Sequence, residues 1–284
     1  MNKNFNVLIT GIDGFSGSAL KIFFDKIKIN YFGISRKYKN KKIIKWDLVK
    51  KKNKKINYKI NWIIHTAAIH KILDFEKNSR DNKIKNIKMT KNLIEFAKKN
   101  QIRNFIFFST IDLSYNNISG KKQNYNLSKL KSESLLLKAY KKKIFKKVII
   151  LRVPAILGKK ANDNFIINTI KKLENNHNIF INDRSKYNNF VHINDLCNLI
   201  LKILVFCRKK NIEKTYFVEF IDCLSSSYIY ISKKINELKK KLNSKSKILF
   251  VNEKKKFEFL IKKNNKFKFQ FMSCSKAIKL ILQN

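Results

Sequence analysis

Glycine and proline are scarce in this chain of 284 residues, which contains six glycines and one proline. This scarcity excludes a Gly/Pro-rich linker and a collagen-like organisation. Lysine, asparagine, isoleucine, phenylalanine and tyrosine are abundant instead, and they share A/T-rich codons, which indicates compositional drift across solvated positions. A glycine, an arginine or the single proline that resisted this drift therefore marks a position with a physical requirement.

Acidic residues are also few, since 19 Asp and Glu stand against 64 Lys and Arg, for a formal net charge of +45. Such a surplus is typical of proteins that bind nucleic acid or anionic membranes. Here the lysines form short runs between apolar segments, only six of the 64 basic residues are arginine, and no nucleic-acid recognition motif is present. We therefore expect salt-sensitive binding of polyanions as a side effect, but no specific nucleic-acid partner and no membrane partner.

Cysteine and histidine do not form a metal-binding pattern. The four cysteines have no C-x-x-C spacing and the four histidines have no paired cysteine or carboxylate, so we expect no metal site. We interpret the cysteines as reduced core residues of a cytoplasmic protein. The N-terminus enters a strand pattern without a signal-peptide core, and the longest apolar run, residues 196–207, is too short to span a bilayer.

Apolar runs alternate with helical patterns through the first two-thirds of the chain. Near-continuous apolar runs predict buried parallel strands at residues 6–10, 31–35, 42–46, 62–66, 104–109 and 147–152. Helices are predicted between them at residues 16–27, 79–100 and 125–141. This alternation predicts an α/β fold, a Rossmann-like doubly wound parallel sheet. After residue 153 the spacing loosens, which predicts a small C-terminal α/β lobe.

The stretch "TGIDGFSG" (residues 10–17) holds three of the six glycines, between the first predicted strand and helix. Gly11 would allow a tight turn, and Gly14 would let backbone amides approach a pyrophosphate at the helix N-terminus. Gly17 would let the helix pack closely on the strand. The spacing predicts a phosphate-binding turn, with a glycine-rich turn that binds nothing as the alternative.

Tyr125 and Lys129 lie four residues apart on a predicted helix and therefore project from one face. Tyrosine is a poor base at neutral pH, but a neighbouring ammonium and an oxidised nicotinamide both favour its phenolate and lower its pKa. Thr110 ends a central predicted strand, from which it would hydrogen-bond the reacting oxygen of a substrate. This set of residues suits hydride transfer at a carbinol or ketone carbon.

Arg36 follows the second predicted strand in "GISRK". In a dinucleotide-binding fold an acidic residue at this place binds the ribose hydroxyls of NAD, whereas an arginine accommodates the 2′-phosphate of NADP. Arg36 therefore predicts NADP, with NAD as the alternative cofactor and a merely solvated charge as the alternative interpretation.

Seven segments, in order, resemble the extended short-chain dehydrogenase/reductase family, which comprises NAD(P)-dependent sugar-nucleotide epimerases, dehydratases and reductases. The segments are "TGIDGFSG", Asp47-Leu48, "IIHTAA" (63–68), "NIKMTKNLIEFAKK" (86–99), "NFIFFST" (104–110), "YNLSKLKSE" (125–133) and "FVHINDL" (190–196). The resemblance implies that Thr110, Tyr125 and Lys129 are catalytic. It implies cofactor contacts at Gly11, Gly14, Phe15, Ser16, Gly17, Arg36, Asp47, Leu48, Ala67, Ala68, Asn86, Tyr125, Lys129 and Pro154, and substrate contacts at Asp112, Asn164 and Arg184.

The resemblance also implies an activity and an organisation. The expected activity is NAD(P)-dependent epimerisation or keto-reduction of a nucleotide-activated sugar, in surface-polysaccharide synthesis, by a homodimer. Sugar dehydratases of the family carry two carboxyl groups after the fifth strand, and Ile111 in place of the first disfavours dehydration here. A non-catalytic NADP(H)-binding protein is the alternative. We expect a dinucleotide-binding domain over residues 1–160 and a mainly substrate-binding lobe over residues 161–284, with a soft boundary that the chain crosses.

Overall fold

The computed structural model describes residues 5–51, 56–70, 72–114, 123–159, 161, 165–182, 190–209, 215–220, 228–251 and 267–282. Its first part contains β1 (Asn6–Thr10), α1 (Phe15–Lys26), β2 (Asn30–Ser35), β3 (Ile43–Lys45), β4 (Trp62–His65), α2 (Ile72–Lys99), β5 (Asn104–Thr110), α3 (Gln123–Lys141) and β6 (Lys147–Val153). These elements confirm the predicted alternation. One difference is that α2 begins earlier than the predicted residue 79, with a kink at Asn78 where the backbone leaves helical geometry.

The second part contains β7 (Ala155–Leu157), α4 (Phe165–Glu174), β8 (Ile179–Asn182), β9 (Phe190–His192), α5 (Ile193–Lys209), β10 (Thr215–Phe220), α6 (Tyr228–Lys241), β11 (Ile248–Val251) and α7 (Cys274–Leu282). Two pairs of short parallel strands form here, β7 with β9 and β8 with β11. The sequence did not predict β7, a strand of three residues that begins one residue after β6, directly behind Pro154.

The main sheet of the described residues has seven strands in the order β10-β6-β5-β4-β1-β2-β3. All its neighbouring strands are parallel. The strand order reverses between β1 and β4, and ligands of doubly wound sheets bind at such a switch point, outside the carboxyl ends of the strands. The structure thus confirms the predicted fold class and directs attention to the residues that follow β1, β2, β4 and β5.

Alternating residues of the strands feed two hydrophobic cores, one on each face of the sheet. Val7 and Ile9 of β1 pack in the core that contains residues of α1 and α5, whereas Leu8 packs in the core that contains residues of α2 and α3. Burial of each such side chain contributes about 1.5–3 kcal/mol. Cys197 and Cys207 lie buried in the first core, as expected for these two cysteines.

A third core lies among the C-terminal elements and includes Leu157, Ile170, Phe190, Ile235 and Ile278. These residues come from β7, α4, β9, α6 and α7, so the later elements cluster around a centre of their own. Within the described ranges, none of the helices combines the length and the apolar composition that a membrane span requires.

Candidate active site

The glycine turn lies at the carboxyl end of β1 and is closely packed. Gly11 has a φ of +64°, and a Cβ there would lie 2.9 Å from Cα of Ala67. A Cβ on Gly17 would lie 2.1 Å from the carbonyl oxygen of Gly11. The tight turn and the close approach of helix to strand therefore both require glycine.

The first turn of α1 fits an anionic ligand. The helix begins at Phe15 behind Gly14, which supplies no side-chain cap, and the first turn holds no acidic residue. Backbone amides and the positive end of a helix dipole are left to meet a negative group at such a terminus. A Cβ on Gly14 would approach only the carbonyl oxygen of Gly11, at 3.2 Å, so little else crowds this side of the turn. These residues fit the pyrophosphate of a dinucleotide.

The loop after β4 is tied to the end of β1 through Thr10. The Thr10 hydroxyl lies 2.8 Å from Nδ1 of His65 and accepts the backbone N–H of Ala67 at 3.2 Å. Thr66 Oγ1 donates to the Thr10 carbonyl at 2.6 Å. Burial, and then the charge of Lys129, lower the pKa of His65 to about 3. His65 is therefore a neutral structural residue that joins two strands.

Asn86 was predicted to contact the cofactor, and its amide holds the same loop in place. Its Oδ1 accepts the backbone N–H of Ile69 and its Nδ2 donates to the Ile69 carbonyl, both at 2.9 Å. Nδ2 also lies 3.3 Å from the Ser128 hydroxyl of α3. Asn86 thereby fixes the segment of Ala67 and Ala68 against two helices.

Asp47 and Leu48 follow β3 in a turn that Asn92 of α2 secures. The Asn92 amide donates to the carbonyl oxygens of Leu48 at 2.8 Å and Val49 at 3.1 Å, and the Asp47 carboxylate accepts the Val49 N–H at 3.1 Å. Sequence reasoning missed Asn92. A polar residue on the apolar face of a long helix was the signal that could have revealed it.

Arg36 lies exposed directly after β2, where the sequence analysis expected it. The structure adds a carboxylate at this place, because Ser35 Oγ donates a hydrogen bond to Asp13 of the glycine turn. Sequence reasoning missed this contact, although an acidic residue between two loop glycines was visible in "TGIDG".

Tyr125 and Lys129 lie on one face of α3, as predicted. Lys129 is 4% exposed, and its Nζ donates to the carbonyl oxygen of Phe108 in β5 at 2.8 Å. Nζ lies 5.6 Å from the centroid of the Tyr125 ring. Burial lowers the pKa of Lys129 to about 8, and the charge of Glu133 acts in the opposite direction.

Thr110 and Asp112 lie at the carboxyl end of β5, and the charge of Asp112 acts on Tyr125. Thr110 Oγ1 accepts the backbone N–H of Asp112 at 3.2 Å, in the 3₁₀ turn Ile111–Ser114. Burial and the charge of Asp112 raise the pKa of Tyr125 above its ordinary value of 10. The lowering of the Tyr125 pKa that was expected from the Lys129 ammonium is therefore not seen, and burial, followed by the Asp112 charge, sets the direction.

A largely buried ion pair, between Glu133 and Arg152, lies next to Ser109 and Thr110 at the end of β5. Glu133 of α3 accepts hydrogen bonds from Arg152 of β6 at 3.0 Å from Nε and 2.7 Å from Nη2. Ser109, the neighbour of Thr110, donates to Glu133 at 2.5 Å. One carboxylate thus joins α3 to two adjacent strands next to the residues expected to react.

The other predicted contacts include Pro154, which the structure describes, and two residues that lie outside the described ranges. Pro154 is buried after β6, and a Cβ on Gly158 would lie 2.8 Å from the Phe15 ring, so the chain after β6 packs on the first turn of α1. Asn164 and Arg184 lie outside the described residues. Among the residues that are described, His, Cys, Asp and Glu do not cluster in a way that could hold a metal ion.

The profile of the NAD-dependent epimerase/dehydratase family matches residues 7–218, which confirms the resemblance to the extended short-chain dehydrogenase/reductases. Comparison with curated protein sequences gave no significant match.

Solved structures resemble the chain over nearly its whole length. A UDP-glucose 4-epimerase of Thermotoga maritima with UDP-glucose superposes with a TM-score of 0.75 at 14% identity, covering 98% of each chain. RMD of Pseudomonas aeruginosa, complexed with NADPH, gives a TM-score of 0.75 at 15% identity, covering 99% of this chain and 98% of that one. A Thermus thermophilus UDP-glucose 4-epimerase complexed with NAD gives 0.73 at 12% identity, covering 98% of each chain. At these identities the similarity establishes the fold.

Proposed function

Because the chain belongs to the NAD-dependent epimerase/dehydratase family, we propose that it transfers a hydride between a nicotinamide cofactor and a carbinol or ketone carbon of a nucleotide-activated sugar. The reaction is an epimerisation or a keto-reduction. The observation that carries the proposal is that Tyr125 and Lys129 lie together on α3 against the carboxyl end of β5, where Lys129 donates to Phe108, two residues before Thr110. This end lies on the same edge of the sheet as the glycine turn, because the intervening strands are parallel.

Each side chain has a distinct role. A bound nicotinamide supplies the hydride acceptor or donor and, when oxidised, a positive charge. Tyr125 exchanges the proton of the substrate hydroxyl, and its raised pKa keeps it protonated until the charge of an oxidised nicotinamide adds to that of Lys129. Thr110 accepts a backbone N–H through its oxygen, so its own O–H is the donor to the substrate oxygen. Lys129, anchored on the Phe108 carbonyl, provides the ammonium that favours the phenolate.

Arg36 supports NADP as the preferred cofactor. Its exposed guanidinium at the end of β2 can meet a 2′-phosphate with charge-assisted and bidentate hydrogen bonds. Titration of NADH and NADPH against Arg36→Ala tests this, with Lys37→Ala as the matched control for loss of a neighbouring exposed cation. We expect Arg36→Ala to weaken NADPH about tenfold or more, the scale of hydrogen bonds to charged groups, and to leave NADH unchanged. Equal weakening of both cofactors would contradict the proposal.

The organisation of the chain is part of the same proposal. The core around Leu157, Ile170 and Ile278 supports a C-terminal lobe that binds the substrate, while residues 1–160 bind the dinucleotide. Ile84 of α2 and Leu127 and Leu130 of α3 are exposed apolar side chains on neighbouring helices, and they support a homodimer through this face. The free, buried Cys197 and Cys207 agree with a cytoplasmic enzyme.

Purified protein incubated with UDP-glucose, UDP-N-acetylglucosamine and keto-sugar nucleotides, with each cofactor, tests the activity. We expect epimerised or reduced product with one of these substrates, and loss of product in Tyr125→Phe. Tyr140→Phe, on the same helix, is the matched control and should keep full activity. A protein that binds NADPH but converts no substrate would instead support a non-catalytic cofactor-binding role.

A further inference from the structure

A carboxylate from the glycine turn reaches the carboxyl end of β2. Asp13 is exposed between Gly11 and Gly14 of the turn, and its Oδ2 accepts a hydrogen bond from Ser35, the last residue of β2. Ser35 is 3% exposed, and its hydroxyl also accepts the backbone N–H of Lys37 at 3.0 Å. A buried and doubly bonded hydroxyl therefore fixes the position of the Asp13 carboxylate.

The side chain of Tyr38 also interacts with the Asp13 carboxylate. Burial, and then the charge and hydrogen bond of Asp13, raise the pKa of Tyr38. Tyr38 lies beyond β2 in the segment that contains Arg36, and it is 40% exposed. The Asp13 carboxylate thus contacts both Ser35 at the end of β2 and Tyr38 in the segment after it, and the residue is exposed to solvent.

This place has a specific chemistry in dinucleotide folds. An acidic side chain at the end of the second strand accepts hydrogen bonds from the adenosine ribose hydroxyls of NAD, and its charge opposes the 2′-phosphate of NADP. The strand itself ends at Ser35 and is followed by Arg36, so it carries no acidic residue there. The carboxylate of Asp13 reaches the same place from the loop after β1.

We propose that Asp13 selects the cofactor in opposition to Arg36. It accepts hydrogen bonds from the ribose hydroxyls and repels a 2′-phosphate, whereas the guanidinium of Arg36 attracts that phosphate. The balance between NAD and NADP is therefore set by two residues of opposite charge, one from the turn after β1 and one from the end of β2. The inference rests on the nicotinamide dinucleotide of the proposed function, but not on the sugar substrate or on catalysis.

Fluorescence titration of NADH and NADPH with wild type and Asp13→Asn tests the inference. Asparagine keeps an oxygen that can accept the Ser35 hydrogen bond and removes the charge. Competition by ADP-ribose and 2′-phospho-ADP-ribose repeats the comparison without a nicotinamide, so the readout is independent of turnover. Asp25→Asn is the matched control, because Asp25 of α1 also accepts a hydroxyl hydrogen bond, from Tyr31 at 3.0 Å.

We expect Asp13→Asn to tighten NADPH about tenfold, the scale of one unit-charge repulsion near a protein surface, and to weaken NADH. The ratio of the two affinities should not change in Asp25→Asn. Ser35→Ala removes the hydroxyl that anchors the Asp13 carboxylate, and we expect weaker NADH binding. An unchanged ratio in a folded Asp13→Asn protein, or equal loss of both cofactors, would overturn the inference. If wild type binds neither dinucleotide, the cofactor part of the proposed function fails instead.

Discussion

Replacement of Glu133 by glutamine should destabilise the fold strongly. Glu133 is 5% exposed, and its carboxylate receives hydrogen bonds from Ser109 and from two nitrogens of Arg152. Glutamine keeps the shape, but it removes the negative charge and places an N–H₂ group against donors. Loss of one partner of a buried ion pair costs about 3–5 kcal/mol. Because the Arg152 side chain retains 17% exposure, some solvation persists and we expect about 3 kcal/mol.

Urea unfolding measures this cost, with the buried Trp46 and Trp62 as fluorescence probes. For a slope of about 3 kcal/mol per molar urea, a loss of 3 kcal/mol lowers the midpoint by about 1 M. Glu95→Gln is the control, because Glu95 pairs with Lys51 at 4.0 Å with both side chains exposed. Such a pair contributes about 0–1 kcal/mol.

The double variant Glu133→Met with Arg152→Met distinguishes two causes of a lower free energy of unfolding, an unpaired buried charge and lost packing. Apolar residues of similar size often replace a buried ion pair without loss of stability. We therefore expect the double variant to be more stable than Glu133→Gln. A loss below about 1 kcal/mol in Glu133→Gln, with two-state unfolding, would refute the reasoning, because so small a cost is typical of an exposed ion pair and not of a largely buried one.

Three further predictions concern the site itself. Tyr125→Phe should reduce turnover about 10²–10⁴-fold while cofactor titrations stay near wild type; an active Phe variant would exclude Tyr125 as the proton donor and acceptor. The pKa of Lys129 is lowered from 10.5 to about 8, so between these pH values the unfolded chain holds a proton that the folded chain has released. The free energy of unfolding should therefore rise with pH over this interval in wild type relative to Lys129→Met, and parallel pH profiles in urea titrations would contradict the lowered pKa. Gly17→Ala should abolish either folding or the binding of NADH and NADPH, because the added Cβ would lie 2.1 Å from the Gly11 carbonyl oxygen. Thermal unfolding and cofactor titration measure the two effects, and an unaltered thermal midpoint together with unaltered binding would refute the close packing.

Local spacing predicted the parts of the fold and site that depend on neighbours in sequence. The strand runs, the glycine turn and the four-residue interval of Tyr125 and Lys129 are of this kind, and the structure contains all of them. The start of α2 was placed late because its first turns precede the kink at Asn78, where the helical period is interrupted.

Contacts between distant elements were not predictable from one sequence. Glu133 and Arg152 are 19 residues apart on a helix and a strand, and Asp13 and Ser35 are 22 residues apart, so no periodicity connects them. The raised pKa of Tyr125 depends on burial and then on the position of Asp112. The expected lowering considered the ammonium of Lys129 and an oxidised nicotinamide, but neither burial nor the Asp112 carboxylate.

The edge strand β10 imposes an order on folding. The strands from β1 to β6 all precede residue 154. The partner of β6 at the edge, β10 (Thr215–Phe220), follows only after β7, α4, β8, β9 and α5, none of which belongs to the main sheet. Closing so long a chain segment has an entropic cost that is recovered only when the pairing forms. The central strands are therefore expected to assemble first and the edge strand to join late. A chain ending before β10 would expose the β6 edge, and unpaired parallel strand edges promote aggregation.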